Sequence, residues 1–168
     1  MLRPFFVAAL LAPLSLAGCY MTQTPLITPD KAVFPYQRIV YTEASSEKPI
    51  TLTHEGDSYT TKNEKGDTAT VRFQQVGDNL YVAQLGSKTE QGEVYLYGLV
   101  RVDTTAKTAD AFTVFADKPD IEAGMPACPD GSGMVCLTDL QTYIDYATKQ
   151  AGAPGAKPAT TYTLNELD

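Results

Sequence analysis

The chain has 168 residues, of which 43% are hydrophobic, and it carries 20 acidic against 13 basic side chains for a formal net charge of −7. This length is enough for one domain with its own core and is short for two. An acidic chain without a basic stripe repels a phosphate backbone, so binding to nucleic acid is not expected.

The N-terminal residues have the pattern of an export signal. Arg3 and the amino terminus form a small positive region, and residues 5–16 are apolar apart from Ser15. This run is shorter than the roughly 20 residues that a membrane-spanning helix needs, and its length is typical of the apolar region of a signal peptide. The segment is therefore predicted to be a signal peptide that is removed on export.

The apolar run ends in Leu16-Ala17-Gly18-Cys19, which resembles the lipobox of bacterial lipoproteins. The resemblance implies that Cys19 is diacylated on its sulfur, becomes the first residue of the mature chain and anchors it in a membrane. In this family an Asp after the cysteine favours the inner membrane. Tyr20 at that position implies a cell-envelope protein of the outer membrane, where the host has two membranes. The alternative is an ordinary secretory signal with an incidental Cys19.

The resemblance covers only this segment, and the rest of the chain resembles no specific domain family. Residues 19–32 are polar and contain Thr and Pro, which predicts a lipidated flexible tether. A coil of this length reaches roughly 20 Å. One β-rich domain is then expected over residues 33–168.

Strands and turns alternate from Val33 to about Ala116. Gly-Asp recurs at residues 56–57, 66–67 and 77–78, and turn signals at such intervals are typical of an antiparallel meander. The fold class is therefore mainly β, with about six to eight strands in a curved or barrel-like sheet. The predicted strands are residues 35–41, 49–54, 57–62, 67–76, 79–86, 93–103 and 109–116.

Two of these strands, 79–86 and 93–103, are apolar on both faces. Such strands are usually covered on both sides, so the sheet needs a second layer on its outer face. Gly98 lies within the second strand, where a glycine favours a bend, a bulge or a close backbone approach.

A helix over residues 139–150 is the predicted cover. Its apolar residues recur at helical spacing, and Thr138 with Gln141 fits a capping box. Gly152 and Pro154 end the pattern. After the helix, residues 160–164 predict a short last strand or a loose tail.

Cys128 and Cys136 form an even pair in a chain expected to be exported, which favours a disulfide. The residues between them are turn formers. A calcium site on Asp130 is the alternative, but the alternating carboxylates of a calcium-binding loop are missing.

No catalytic residue, metal site or cofactor is predicted. The single histidine, His54, lies on a Thr-rich strand and is expected to face solvent, and no serine lies in a nucleophile motif. Asp117, Asp120 and Glu122 cluster around Pro119, where an acidic solvated loop is the default and a catalytic carboxylate pair the alternative.

Tyr81, Tyr95 and Tyr97 are expected on one side of neighbouring strands. Tyrosine combines an apolar ring with a hydroxyl group, so these residues are a candidate binding surface. The competing interpretation is that the helix packs over them.

Three functions follow from these patterns. The first is a non-enzymatic binding or envelope-accessory protein whose partner is another envelope protein. The second is a small-ligand carrier with a lipocalin-like cup, which needs an apolar cavity of roughly 300 Å³ or more. The third is an enzyme that relies on carboxylates alone.

Overall fold

A computed structural model of the chain describes residues 20–62, 66–89, 92–112, 128 and 135–168. Within these residues the chain forms strands and one helix, which are, in order, β1 (Tyr20–Thr22), β2 (Arg38–Glu43), β3 (Ile50–Glu55), β4 (Ser58–Lys62), β5 (Thr68–Gly77), β6 (Leu80–Thr89), β7 (Gly92–Asp103), β8 (Thr108–Phe112), β9 (Val135–Cys136), α1 (Leu140–Ala151) and β10 (Thr160–Leu167).

Eight of the strands close into an antiparallel barrel. The strands β2 to β8 follow one another around it, and β10 pairs with β8 on one side and with β2 on the other. The predicted mainly β meander, with one helix near the C-terminus and one disulfide, is confirmed. The segment predicted as a last strand or loose tail is the strand that closes the barrel, and closure removes two free sheet edges.

The two strands predicted to be apolar on both faces are central to the fold. On β6, Ala83 and Leu85 face the barrel interior, whereas Val82 lies in a second cluster on the outer face. On β7, Tyr97 and Leu99 belong to the same outer cluster. Helix α1 packs there through Leu140, Tyr143, Ile144 and Ala147, so the predicted cover is confirmed.

The helix begins one residue later than the predicted capping box. Asp139 is the N-cap, with extended backbone angles, and its Oδ2 accepts hydrogen bonds from the Thr142 backbone nitrogen and hydroxyl, both at 2.8 Å. A carboxylate there satisfies a free N–H of the first turn and opposes the helix dipole. The prediction of Thr138 as the cap is therefore wrong.

Of the bend, bulge or close backbone approach expected at Gly98, the bulge is absent from the pairing of β6 with β7. The register runs without a shift through Ala83 and Gly98. Gly98 lies instead where the other edge of β7 changes partner, since Leu99 pairs with β8 and Leu96 with β1. The register shifts occur at Gln75–Gly77 on β5 and at Leu164–Glu166 on β10.

The segment of residues 20–32, predicted to be a flexible tether, packs onto the barrel. Strand β1 pairs antiparallel with β7 and parallel with β9, and Thr22 is only 6% exposed. Ile27 is fully buried, and its backbone nitrogen donates to Gln84 Oε1 at 2.8 Å. The tether prediction is wrong because these residues, together with α1, pack on the outer faces of β6 and β7.

The disulfide between Cys128 and Cys136 is present. It joins residues eight positions apart, and closing a loop of this length stabilises the fold by about 2.5 kcal/mol in the chain-entropy account. Cys136 lies on β9 opposite Met21 of β1. The disulfide therefore holds in place β9, the strand that pairs with the N-terminal segment. Asp130 lies outside the described residues. No helix in the described part of the chain has the length and apolarity to cross a membrane.

Candidate functional site

The turns of the barrel divide between its two ends. We call the end formed by the turns after β3, β5 and β7, together with the last residues of β10, the mouth end. Asp57 and Asp78 lie at this end and Asp67 at the other, as the meander predicts. In the ranges that the structure describes, no three His, Cys, Asp or Glu residues are grouped so that they could hold a metal ion.

A cavity of about 100 Å³ lies inside the barrel at the mouth end. Its deeper wall is apolar and buried, and exposed polar residues from the turns border its opening. None of the described residues that line it is charged. The lining comprises Pro35, Tyr36, Ile39, Tyr41, Leu52, Phe73, Asn79, Tyr81, Val100, Val102, Thr104, Ala109, Tyr162, Leu164 and Leu167.

Tyr41 and Tyr162 are the deepest polar groups of this wall. Their rings meet edge to face with centroids 5.2 Å apart, and both side chains are buried. Burial raises the pKa of the Tyr41 phenol, and the neighbouring Tyr162 and Glu43 add to this effect. The cavity wall therefore stays uncharged at neutral pH.

The raised tyrosine pKa values predict instability in alkali. Burial raises the pKa of Tyr41 and of Tyr97 above the ordinary value of 10.0, and the hydrogen bonds between Tyr97 and both Thr22 and Leu26 only partly oppose this. Below pH 10 these tyrosines are protonated in both states, so they add no pH dependence. Above it, only the unfolded chain releases the protons, and the free energy of unfolding should fall by about 1.4 kcal/mol per pH unit for each tyrosine.

Urea denaturation between pH 8 and pH 12 measures this slope. The variant Tyr41→Phe should show a shallower decline than the wild type, because one of the raised groups is gone. Identical slopes for Tyr41→Phe and the wild type would contradict this assignment.

Residues 33–37, which we call the strap, border the cavity on one side. Val33 pairs with Phe73 of β5, and the Phe34 ring stacks on His54 with centroids 4.2 Å apart. The Tyr59 hydroxyl donates to the Tyr36 carbonyl at 2.7 Å and accepts from the Tyr36 nitrogen at 3.3 Å. These contacts hold the strap against the barrel and set the shape of the opening.

His54 does not face solvent as predicted. It is half-buried between Phe34 and Tyr59, and its Nε2 lies 3.0 Å from the Gly56 carbonyl oxygen. The alternation along β3 places it on the same face as buried Leu52, so it packs under the strap. Its contacts are with an aromatic cluster and a turn.

The three candidate tyrosines do not share a face. Tyr81 is paired with Val100, whose side chain faces the interior, and Tyr81 lines the cavity. Tyr95 and Tyr97 are on the outer face, opposite Gly86 and Gln84. The prediction is wrong for Tyr81 because the antiparallel register pairs odd-numbered residues of β6 with even-numbered residues of β7. Tyr81 therefore lies on the opposite face of the sheet from the odd-numbered Tyr95 and Tyr97.

The competing interpretation holds for Tyr97. It is fully buried beneath α1, and its ring centroid lies 6.2 Å from that of Tyr143. Tyr95 is half-buried, and its hydroxyl donates to the exposed Glu93 carboxylate at 2.8 Å. The expected tyrosine surface is therefore divided between a core, a cavity and a partly exposed position, and binding to an envelope protein stays a prediction.

Four predicted residues lie outside the described part of the chain. They are Cys19, the expected lipidation site, and the acidic residues Asp117, Asp120 and Glu122. Their roles stay predictions.

Comparison of this chain with protein-family profiles, curated proteins and solved structures finds no match.

Proposed function

We propose that the protein is a lipid-anchored binding protein of the cell envelope, without enzymatic activity, whose barrel takes a small apolar ligand. The observation that carries the proposal is the open, uncharged cavity at the mouth end. Ligand sites are typically concave and mostly apolar, with a few polar groups that fix the orientation of the ligand.

The arrangement of the lining supports binding rather than catalysis. Its polar groups are tyrosine hydroxyls, one amide and one threonine hydroxyl, and no described lining residue supplies a carboxylate, imidazole, amine or thiol. A general acid or base that works near neutral pH usually comes from those missing groups. The cavity walls can therefore enclose a ligand and orient it through hydrogen bonds.

Two features support the envelope location. The lipobox resemblance at Leu16 to Cys19 implies export and anchoring, and the disulfide between Cys128 and Cys136 fits an oxidising compartment. Both features are independent of the cavity, so the location and the binding activity are tested separately.

The binding activity is tested by native mass spectrometry of the protein extracted from envelopes. We expect the wild type to carry a bound apolar small molecule, and Ala109→Leu to lose it because the larger side chain fills the buried wall of the cavity. The matched control is Ala44→Leu at an exposed position in the turn after β2. The same bound species on Ala109→Leu as on the wild type, or none on the wild type, would contradict the proposal.

A further inference from the structure

The cavity is too small for the ring systems that many binding proteins enclose. Its volume of about 100 Å³ is below the roughly 150 Å³ of an engineered cavity that admits benzene, and well below the roughly 300 Å³ at which drug-sized sites begin. The part of a ligand that enters the cavity is therefore small.

The cavity opens at the mouth end. Farther from that end along β5 and β6, the buried side chains of Val71 and Leu85 lie in the barrel interior, and the two residues are paired with each other. A ligand therefore enters from the mouth end and stops inside the barrel.

Polarity changes along this path. The deep wall contains Leu52 and Leu164, whereas the opening is bordered by the exposed Asn79 and Thr104. A charged or strongly polar group placed deep in the cavity would lose its hydration without gaining an ionic partner, at a high cost in free energy. The same group at the opening keeps contact with water, and the side chains there can donate and accept hydrogen bonds.

We infer that the ligand is a single-chain amphiphile, which inserts an unbranched hydrocarbon chain into the barrel and leaves its polar end at Asn79 and Thr104. This inference rests on the proposed function and specifies the ligand class of the same cavity. A hydrocarbon chain matches the apolar wall of the cavity, whose volume is below that of a cavity known to admit benzene.

The test is a titration of the lipoprotein, in phosphatidylcholine nanodiscs, with n-alkanols of increasing length. Methyl resonances of Leu164 and Ala109 report occupancy of the cavity itself, at matched free alkanol concentration. Affinity should rise about fourfold per added methylene and then level off once the cavity is full. Adamantanol, a compact cage alcohol, should leave these resonances unchanged.

Two variants show that the shifts arise in the cavity. Ala109→Leu should weaken alkanol binding at least tenfold, and Ala44→Leu should bind as the wild type does. Leu167→Phe, at the half-buried end of β10, narrows the opening of the cavity and should also weaken alkanol binding. This variant provides the same comparison if Ala109→Leu fails to fold.

The possible results separate this inference from the proposed function. The single-chain assignment would be overturned if adamantanol shifted the methyl resonances as much as octanol does and if alkanol affinity did not depend on chain length. The protein would then still be a carrier of apolar ligands. No shift with any of these alcohols would overturn both. A chain-length dependence with adamantanol excluded supports both.

Discussion

Replacing Tyr97 with alanine is expected to lower the free energy of unfolding by about 4 kcal/mol, which is a large part of the stability of a domain of this size. The side chain is fully buried where α1, the outer face of β7 and the segment of residues 20–32 meet. Its hydroxyl lies 3.0 Å from each of the Thr22 hydroxyl, the Leu26 nitrogen and Gln84 Oε1. Alanine would remove both the ring and this centre of hydrogen bonds.

Tyr97→Phe separates the hydroxyl from the ring. It keeps the packing but leaves the Leu26 N–H without its acceptor, which should cost about 1 to 3 kcal/mol. The matched control is Tyr95→Phe, two residues along the same face, whose hydroxyl contacts an exposed carboxylate and should contribute less than about 1 kcal/mol.

Urea denaturation of the three variants measures these differences. Limited proteolysis adds a local readout, because loss of the hydroxyl contacts should expose residues 20–32 to cleavage before the barrel opens. Equal stabilities for Tyr97→Phe and Tyr95→Phe would show that the N-terminal segment does not depend on this hydroxyl.

The strands could be predicted closely because their signals are local. The predicted segments 67–76 and 93–103 correspond to β5 (Thr68–Gly77) and β7 (Gly92–Asp103). Turn residues at the strand ends have backbone angles that few residue types adopt readily, as at Gly56 with φ of 66° and Asn79 with φ of 54°. Alternation of apolar residues then assigns the two faces of each strand.

Closure of the barrel and packing of the N-terminal segment depend on distant contacts. Strand β10 pairs with β2, for example through Leu167 and Ile39, which are far apart in the chain. No local sequence pattern predicts that these two strands pair. Residues 20–32 are polar in composition, yet Ile27 is buried and its backbone nitrogen donates a hydrogen bond to Gln84, which lies on β6. Composition alone cannot distinguish a packed extended segment from a tether.

The cavity and the separation of the tyrosines depend on finer geometry still. A shift of one residue in the β6–β7 register would have placed Tyr81 on the face of Tyr95 and Tyr97, because side chains alternate along a strand. The empty volume reflects how side chains from several strands fill one interior. The alternation could have indicated which residues point inward, but not whether they fill the space.

Replacing Cys19 with serine is expected to abolish lipid attachment completely and to leave residues 1–18 on the chain. The reason is chemical, since the thioether to the diacylglyceryl group needs the cysteine sulfur, and in the lipoprotein family cleavage follows acylation. Metabolic labelling with an alkyne-bearing fatty acid, followed by mass spectrometry of the N-terminal peptide, measures both effects.

The effect on labelling should be all or none because, in the lipoprotein family, the diacylglyceryl group is attached through the cysteine sulfur. The control is the double variant Cys128→Ser, Cys136→Ser, which removes the disulfide and should keep the full label. Because β1 begins at Tyr20 and pairs with β7, a lipid on residue 19 would be attached next to a strand that packs on the barrel. Equal labelling of Cys19→Ser and the wild type would remove the support that the lipobox gives to an envelope location.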